Sequence, residues 1–94
     1  MNTRSTGPVA ADMLQRLNSA LSPTSIELID DSEKHRGHGG YNPAGERHFT
    51  LLIESPYFAG QSRVARQRLV YAALGDLMRE RVHALSIQAR APGE

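Results

Sequence analysis

His48-Phe49-Thr50-Leu51-Leu52-Ile53-Glu54-Ser55-Pro56, residues 48–56, is the stretch on which the reading of this chain turns. Phe49, Leu51 and Ile53 take every second position, so an extended backbone puts them on one face and His48, Thr50, Leu52 and Glu54 on the other. Pro56 cannot donate to a ladder and restricts the residue before it, so Ser55-Pro56 ends a strand that covers His48–Glu54. A strand this apolar on one face needs a covering layer, and the flanking segments supply one.

Upstream lies Ser32–Arg47, sixteen residues with Gly37, Gly39, Gly40, Pro43 and Gly45 and little apolar content beyond Tyr41 and Ala44. That is long for a loop in a small domain, and loops of such length are functional or disordered; a functional loop is expected here. Before it, Ile26 and Leu28 alternate with Ser25 and Glu27, predicting a strand over Ser25–Asp31. Earlier still, Ala10, Met13, Leu14, Leu17 and Leu21 follow helical spacing. Pro8 suits the first turn of that helix and Ser22-Pro23 stops it. Residues 1–7 are expected to be a disordered tail, and residues 8–92 one domain.

Downstream, Tyr57–Gly60 reads as a single helical turn. Ser62 then caps a long helix expected to run to about Val82, with Val70, Ala73, Leu74, Leu77 and Met78 as its buried stripe. Alternation returns through Leu85, Ile87 and Ala89, a last strand over His83–Arg90. The order is α-β-β-α-α-β. The fold class is α+β, a single domain with a three-stranded mixed sheet and helices packed on one face. The first two strands, joined by a loop, are antiparallel; the second and third, joined through helix, are parallel.

At 94 residues, 39% of them hydrophobic and only 5% aromatic, the core must be built mainly from aliphatic side chains. The formal charge is +1, which gives no global field for nucleic acid or membrane. There are no cysteines, so disulfides, thiolate metal sites and a catalytic thiol are excluded and a reducing compartment is the simple reading. No apolar run approaches the roughly 18–20 residues of a membrane span, and residues 1–7 do not read as a secretory signal. A cytoplasmic protein with no membrane partner is expected.

The chemistry rests with four histidines. His35 and His38 lie in the Gly-rich loop, His48 opens the second strand, and His83 stands where the helix hands over to the last strand. Imidazole ligates iron, zinc or copper and is largely neutral near pH 7. Gly37 and Gly39 give the backbone around His38 unusual freedom. Against this, a histidine in a polar loop is more often solvated than ligating, and His83 would serve equally well capping helix carbonyls. The spacing matches no closed structural zinc site.

Asp31-Ser32-Glu33-Lys34-His35-Arg36-Gly37-His38-Gly39-Gly40, His48-Phe49, Ser55 and Phe58-Ala59-Gly60 are similar to the first half of the BolA pattern. Arg66-Gln67-Arg68-Leu69-Val70-Tyr71, Leu74 and Val82-His83-Ala84-Leu85-Ser86-Ile87 resemble its second half, in order, over roughly residues 9–92. The resemblance implies a class II KH-like fold and a partnership with a monothiol glutaredoxin sharing a 2Fe–2S cluster, in cluster trafficking or iron regulation. It implies His83 as the fixed ligand and a second from the long loop. His35 aligns best, His38 competes with it, and His48 ranks behind both. With no cysteine, the chain resembles the histidine subgroup, in which imidazole in place of thiolate raises the reduction potential and makes ligation proton-sensitive. Alone, a monomer or weak homodimer is expected. Gln67 replaces a histidine that many relatives carry. Pro92-Gly93-Glu94 lacks their terminal aromatic, which argues against a tail-mediated contact.

The second reading is a KH-like, DNA-binding transcriptional regulator of the stress-response kind, with Arg63, Arg66 and Arg68 as a basic patch on phosphate. The turn at Gly60-Gln61-Ser62-Arg63 has one glycine of the required two. Gly37-His38-Gly39-Gly40 has both but lies in the wrong loop. No G-x-S-x-G, P-loop or dinucleotide fingerprint is present, and no enzymatic activity is expected.

Overall fold

The computed structural model describes residues 7–31, 48–82 and 84–94. The 48–54 alternation builds β2, His48–Glu54, the central strand of a three-stranded sheet. Phe49, Leu51 and Ile53 are almost fully buried, and the residues between them are half-buried. On one side β2 pairs antiparallel with β1, Ser25–Asp30, which sets Leu28 opposite Leu51 and Ile26 opposite Ile53. On the other it pairs parallel with β3, Ala84–Arg90, aligning Phe49 with Leu85, Leu51 with Ile87 and Ile53 with Ala89. Register follows from burial, because a slip of one residue would turn every apolar side chain to the wrong face.

The covering layer is helical. α1, Pro8–Leu21, buries Val9, Ala10, Met13, Leu14, Leu17 and Leu21. α2, Arg63–Leu74, adds Val70 and Leu74, and Phe58 and Val82 complete the core from the connections. Ser62 caps α2 as expected, its hydroxyl accepting from the Ala65 N–H at 3.1 Å. Arg16 on α1 donates Nη1 to the Leu74 carbonyl at 2.9 Å, satisfying an end-of-helix acceptor of α2 with a cation where the dipole favours one. Ser55 joins the layers and is fully buried. Its hydroxyl donates to the Leu21 carbonyl at 2.6 Å and accepts from the Tyr57 N–H, while its own N–H donates to Arg90.

Three expectations are corrected. The long helix predicted to reach Val82 breaks at Gly75, after Leu74, and a separate turn, α3, covers Leu77–Glu80. Gly75 adopts φ +55°, and its N–H still donates to the Tyr71 carbonyl at 2.9 Å. Only a residue without a Cβ adopts that backbone at little cost, so the helix stops there. Leu77 remains buried beyond the break, so the apolar spacing reads as continuous helix although the backbone is not. The single turn expected at Tyr57–Gly60 is a 3-10 turn over Pro56–Phe58, and the expected first strand ends one residue early, at Asp30.

Candidate functional site

Because β2 is antiparallel to β1 and parallel to β3, three strand ends meet at one end of the sheet. Asp30, closing β1, pairs with Phe49; His48, opening β2, aligns with Ala84, opening β3. The Thr50 hydroxyl donates to the Asp31 carboxylate, fastening the residue after β1 to β2. Both anchors of segment 32–47, Asp31 and His48, therefore lie at this end, as do Val82 and Ala84, the neighbours of position 83. Val82 is buried, its N–H donating to Leu77 at 2.8 Å, so the approach to β3 is held.

Of the four histidines, His48 lies within the described residues, half-buried at the first position of β2. His35, His38 and His83 lie outside them. Among the described residues no three side chains of the metal-ligating types group together. No helix among them is long and apolar enough to cross a membrane.

The three arginines are presented differently from one another. Arg63 is exposed at the first position of α2. Arg66, one turn on, is tied down: Nε donates to the Gln61 carbonyl at 3.0 Å and Nη1 to the Ala89 carbonyl of β3 at 3.2 Å. Its fork also grips the Glu94 carboxylate at 2.6 Å through each nitrogen. Glu94 Oε1 further accepts from the Ala91 N–H at 3.0 Å. These bonds favour the charged forms, so the Glu94 carboxyl is held down to about 2 and the Arg66 guanidinium is raised further. Arg68 is exposed on another side of α2, where helical spacing sets it between the exposed Val64 and Tyr71.

Glu94 thus folds back onto α2 through an ionic contact. The device that makes it is the turn Ala91-Pro92-Gly93-Glu94. Gly93 has φ +88°, and the Glu94 N–H donates to the Ala91 carbonyl at 3.1 Å. Proline followed by a positive-φ glycine is the signature of a type II turn, and it folds Glu94 back onto α2. Pro92-Gly93 was the one sequence signal of this arrangement; the pairing across 28 residues has none.

A family model described as BolA-like protein matches residues 17–94. BolA-like protein 1 of Homo sapiens is 42% identical over 88 residues, covering 94% of this chain and 61% of the human protein. The UV-induced protein uvi31 of Schizosaccharomyces pombe is 45% identical over 82 residues, covering 83% of this chain and 80% of that protein. Among solved structures, the BolA domain of SufE1 from Arabidopsis thaliana matches with a TM-score of 0.80 at 39% identity, over 94% of this chain and 96% of that domain. The chain spans less than two thirds of the human relative but nearly the whole of the plant domain. Sequence order, a mixed sheet covered by helices, and these matches agree, and the chain belongs to the BolA-like family.

Proposed function

We propose that this chain is a non-enzymatic, cytoplasmic partner of a monothiol glutaredoxin and supplies histidine ligands to a 2Fe–2S cluster shared between the two proteins. The observation that carries this reading is the convergence of three strand ends. The two anchors of the histidine-bearing segment, Asp31 and His48, and the two neighbours of position 83 belong to one end of one sheet. A fixed ligand beside a strand start and a second on a long segment anchored next to it can serve one cluster. The donor set fits as well. With no cysteine the chain can offer imidazole only, so the thiolates come from the partner. His83 is the fixed ligand and His35 the second, ahead of His38. His48 ranks behind both on the resemblance. Such a cluster, when bound, supplies one-electron redox chemistry and is itself what iron–sulfur trafficking hands on.

The nucleic-acid reading has less to support it. Arg68 lies five residues on from Arg63, on another side of α2, so the three arginines do not make one surface for phosphate. The partnership is tested by anaerobic reconstitution with a monothiol glutaredoxin, followed by size exclusion with iron and sulfide analysis. A heterodimer carrying one cluster is expected. A glutaredoxin homodimer that keeps the cluster while this chain elutes free of iron would overturn the proposal.

A further inference from the structure

The Arg66–Glu94 contact lies at the far end of β3 from position 83, about 20 Å along the strand, and its implications are independent of cluster ligation. β3 is an edge: β2 lines one side, and no strand among the described residues lines the other. The Arg90 carbonyl faces inward, accepting from Ser55, whereas the Ala89 carbonyl faces outward, accepting from Arg66. Strand alternation then directs the backbone groups of Leu85 and Ile87 outward with those of Ala89. A cleft of about 720 Å³ reaches from this edge across the sheet, lined by Arg63, Arg66 and Gln67 of α2, by residues 87–90 of β3 and by residues of β1 and β2 that include Glu27 and Glu54. Arg63 and Gln67 have no side-chain partner among the described residues.

We infer that this edge is a docking site for an extended peptide segment bearing an acidic side chain, and that Glu94 occupies the carboxylate seat in its absence. The seat is complete and demonstrably takes a carboxylate. Arg66 offers a bidentate fork, held in orientation by Gln61 and Ala89, and the Ala91 N–H adds a third donor. The occupant reaches it on a four-residue turn with 43% of its side chain exposed, against 14% for Arg66. The arginine is the built part and the glutamate the exchangeable one. An incoming strand would pair with the outward groups of Leu85 and Ile87, the usual mode of adding a strand to a sheet edge, and place its carboxylate on Arg66. A peptide fits better than a nucleic acid. An extended peptide matches a row of alternating edge amides and carbonyls in register, whereas a phosphate backbone brings no donors for the outward carbonyls.

The test titrates the ¹⁵N-labelled full chain with a blocked, β-branched hexapeptide carrying one central glutamate, and with its glutamine counterpart. Glu94→Ala removes the competitor, so the glutamate peptide is expected to bind roughly three- to tenfold tighter than to the unmodified chain. Shifts should concentrate at the Leu85 and Ile87 amides and at Arg66 Nε. The glutamine peptide should show no such gain. Arg66→Lys keeps the charge but loses the fork, and should abolish the preference for glutamate over glutamine; the amide spectrum reports at once whether the variant is folded. Arg68→Gln should change nothing. Unchanged or absent peptide binding in Glu94→Ala, shifts centred elsewhere, or tighter binding of a thymidine decanucleotide at the same residues would each overturn the inference.

Discussion

Arg66 aims one guanidinium at three elements: the turn before α2, the β3 edge and the tail. Its partner Glu94 has a folded carboxyl pKa of about 2 against an ordinary 4.5, chiefly because Arg66 hydrogen-bonds the ionised form and Ala91 adds to it. A depressed carboxyl pKa stabilises the fold above its ordinary value and ceases to do so as pH falls through the folded one. The pair therefore contributes fully above about pH 4.5 and is lost as pH falls through about 2. A carbon-detected NMR titration of Glu94 should give a midpoint near 2, returning toward the ordinary carboxylate range in Arg66→Gln. A midpoint of 4 or above in the unmodified chain, a value near the ordinary one, would mean that the pair does not form in solution. At this scale the sequence was least informative. Arg66 was read as one of three arginines for phosphate, because nothing local reveals that a charge 28 residues away folds back upon it.

At the level of elements, the strands were legible and the helices less so. β2 was read with its observed bounds, because period-2 alternation ended by Ser55-Pro56 has few other interpretations. The α2–α3 break was hidden by its own side chains: Val70, Leu74 and Leu77 keep helical spacing across it, and Gly75 alone marks the stop. The sign of one substitution separates the two pictures. In a continuous helix Gly75→Ala would stabilise the protein by up to about 1 kcal/mol. At φ +55° it should instead destabilise it by roughly 1–2 kcal/mol. A Cβ there would meet only Arg16 Nη1 at 3.5 Å, an ordinary contact, so the effect is one of backbone conformation. Urea unfolding measures it, and a gain in stability would restore the unbroken helix. Leu74 lies at the centre of the same layer with no exposed surface. Leu74→Ala should cost about 2–5 kcal/mol, and a loss below about 0.5 kcal/mol would mean that the helix face is wrongly assigned.

For the molecule as a whole, topology does what spacing along the chain could not. His35, His38 and His83 are separated in sequence, and their residue types alone match no recognised metal site. The sheet order nevertheless brings Asp31, His48, Val82 and Ala84 to one end. The fold was legible because burial repeats along the strands and helices. The Gly-rich segment has no such repeat, so its histidines were ranked by resemblance and not by pattern. The central claim is that His83 and a histidine of segment 32–47 are the ligands this chain contributes. One ligand is flanked by held backbone, and the other has a near neighbour of the same kind, so their substitutions should differ in severity. The most direct measurement is the visible circular dichroism and reduction potential of the heterodimer reconstituted with a monothiol glutaredoxin. It is made for the unmodified chain, His83→Ala, His35→Ala and the His35→Ala/His38→Ala pair. The account predicts that His83→Ala and the double variant lose the cluster or hold it only briefly, with His35→Ala between them and the unmodified protein. A His83→Ala heterodimer with unchanged spectrum, cluster lifetime and potential would contradict it.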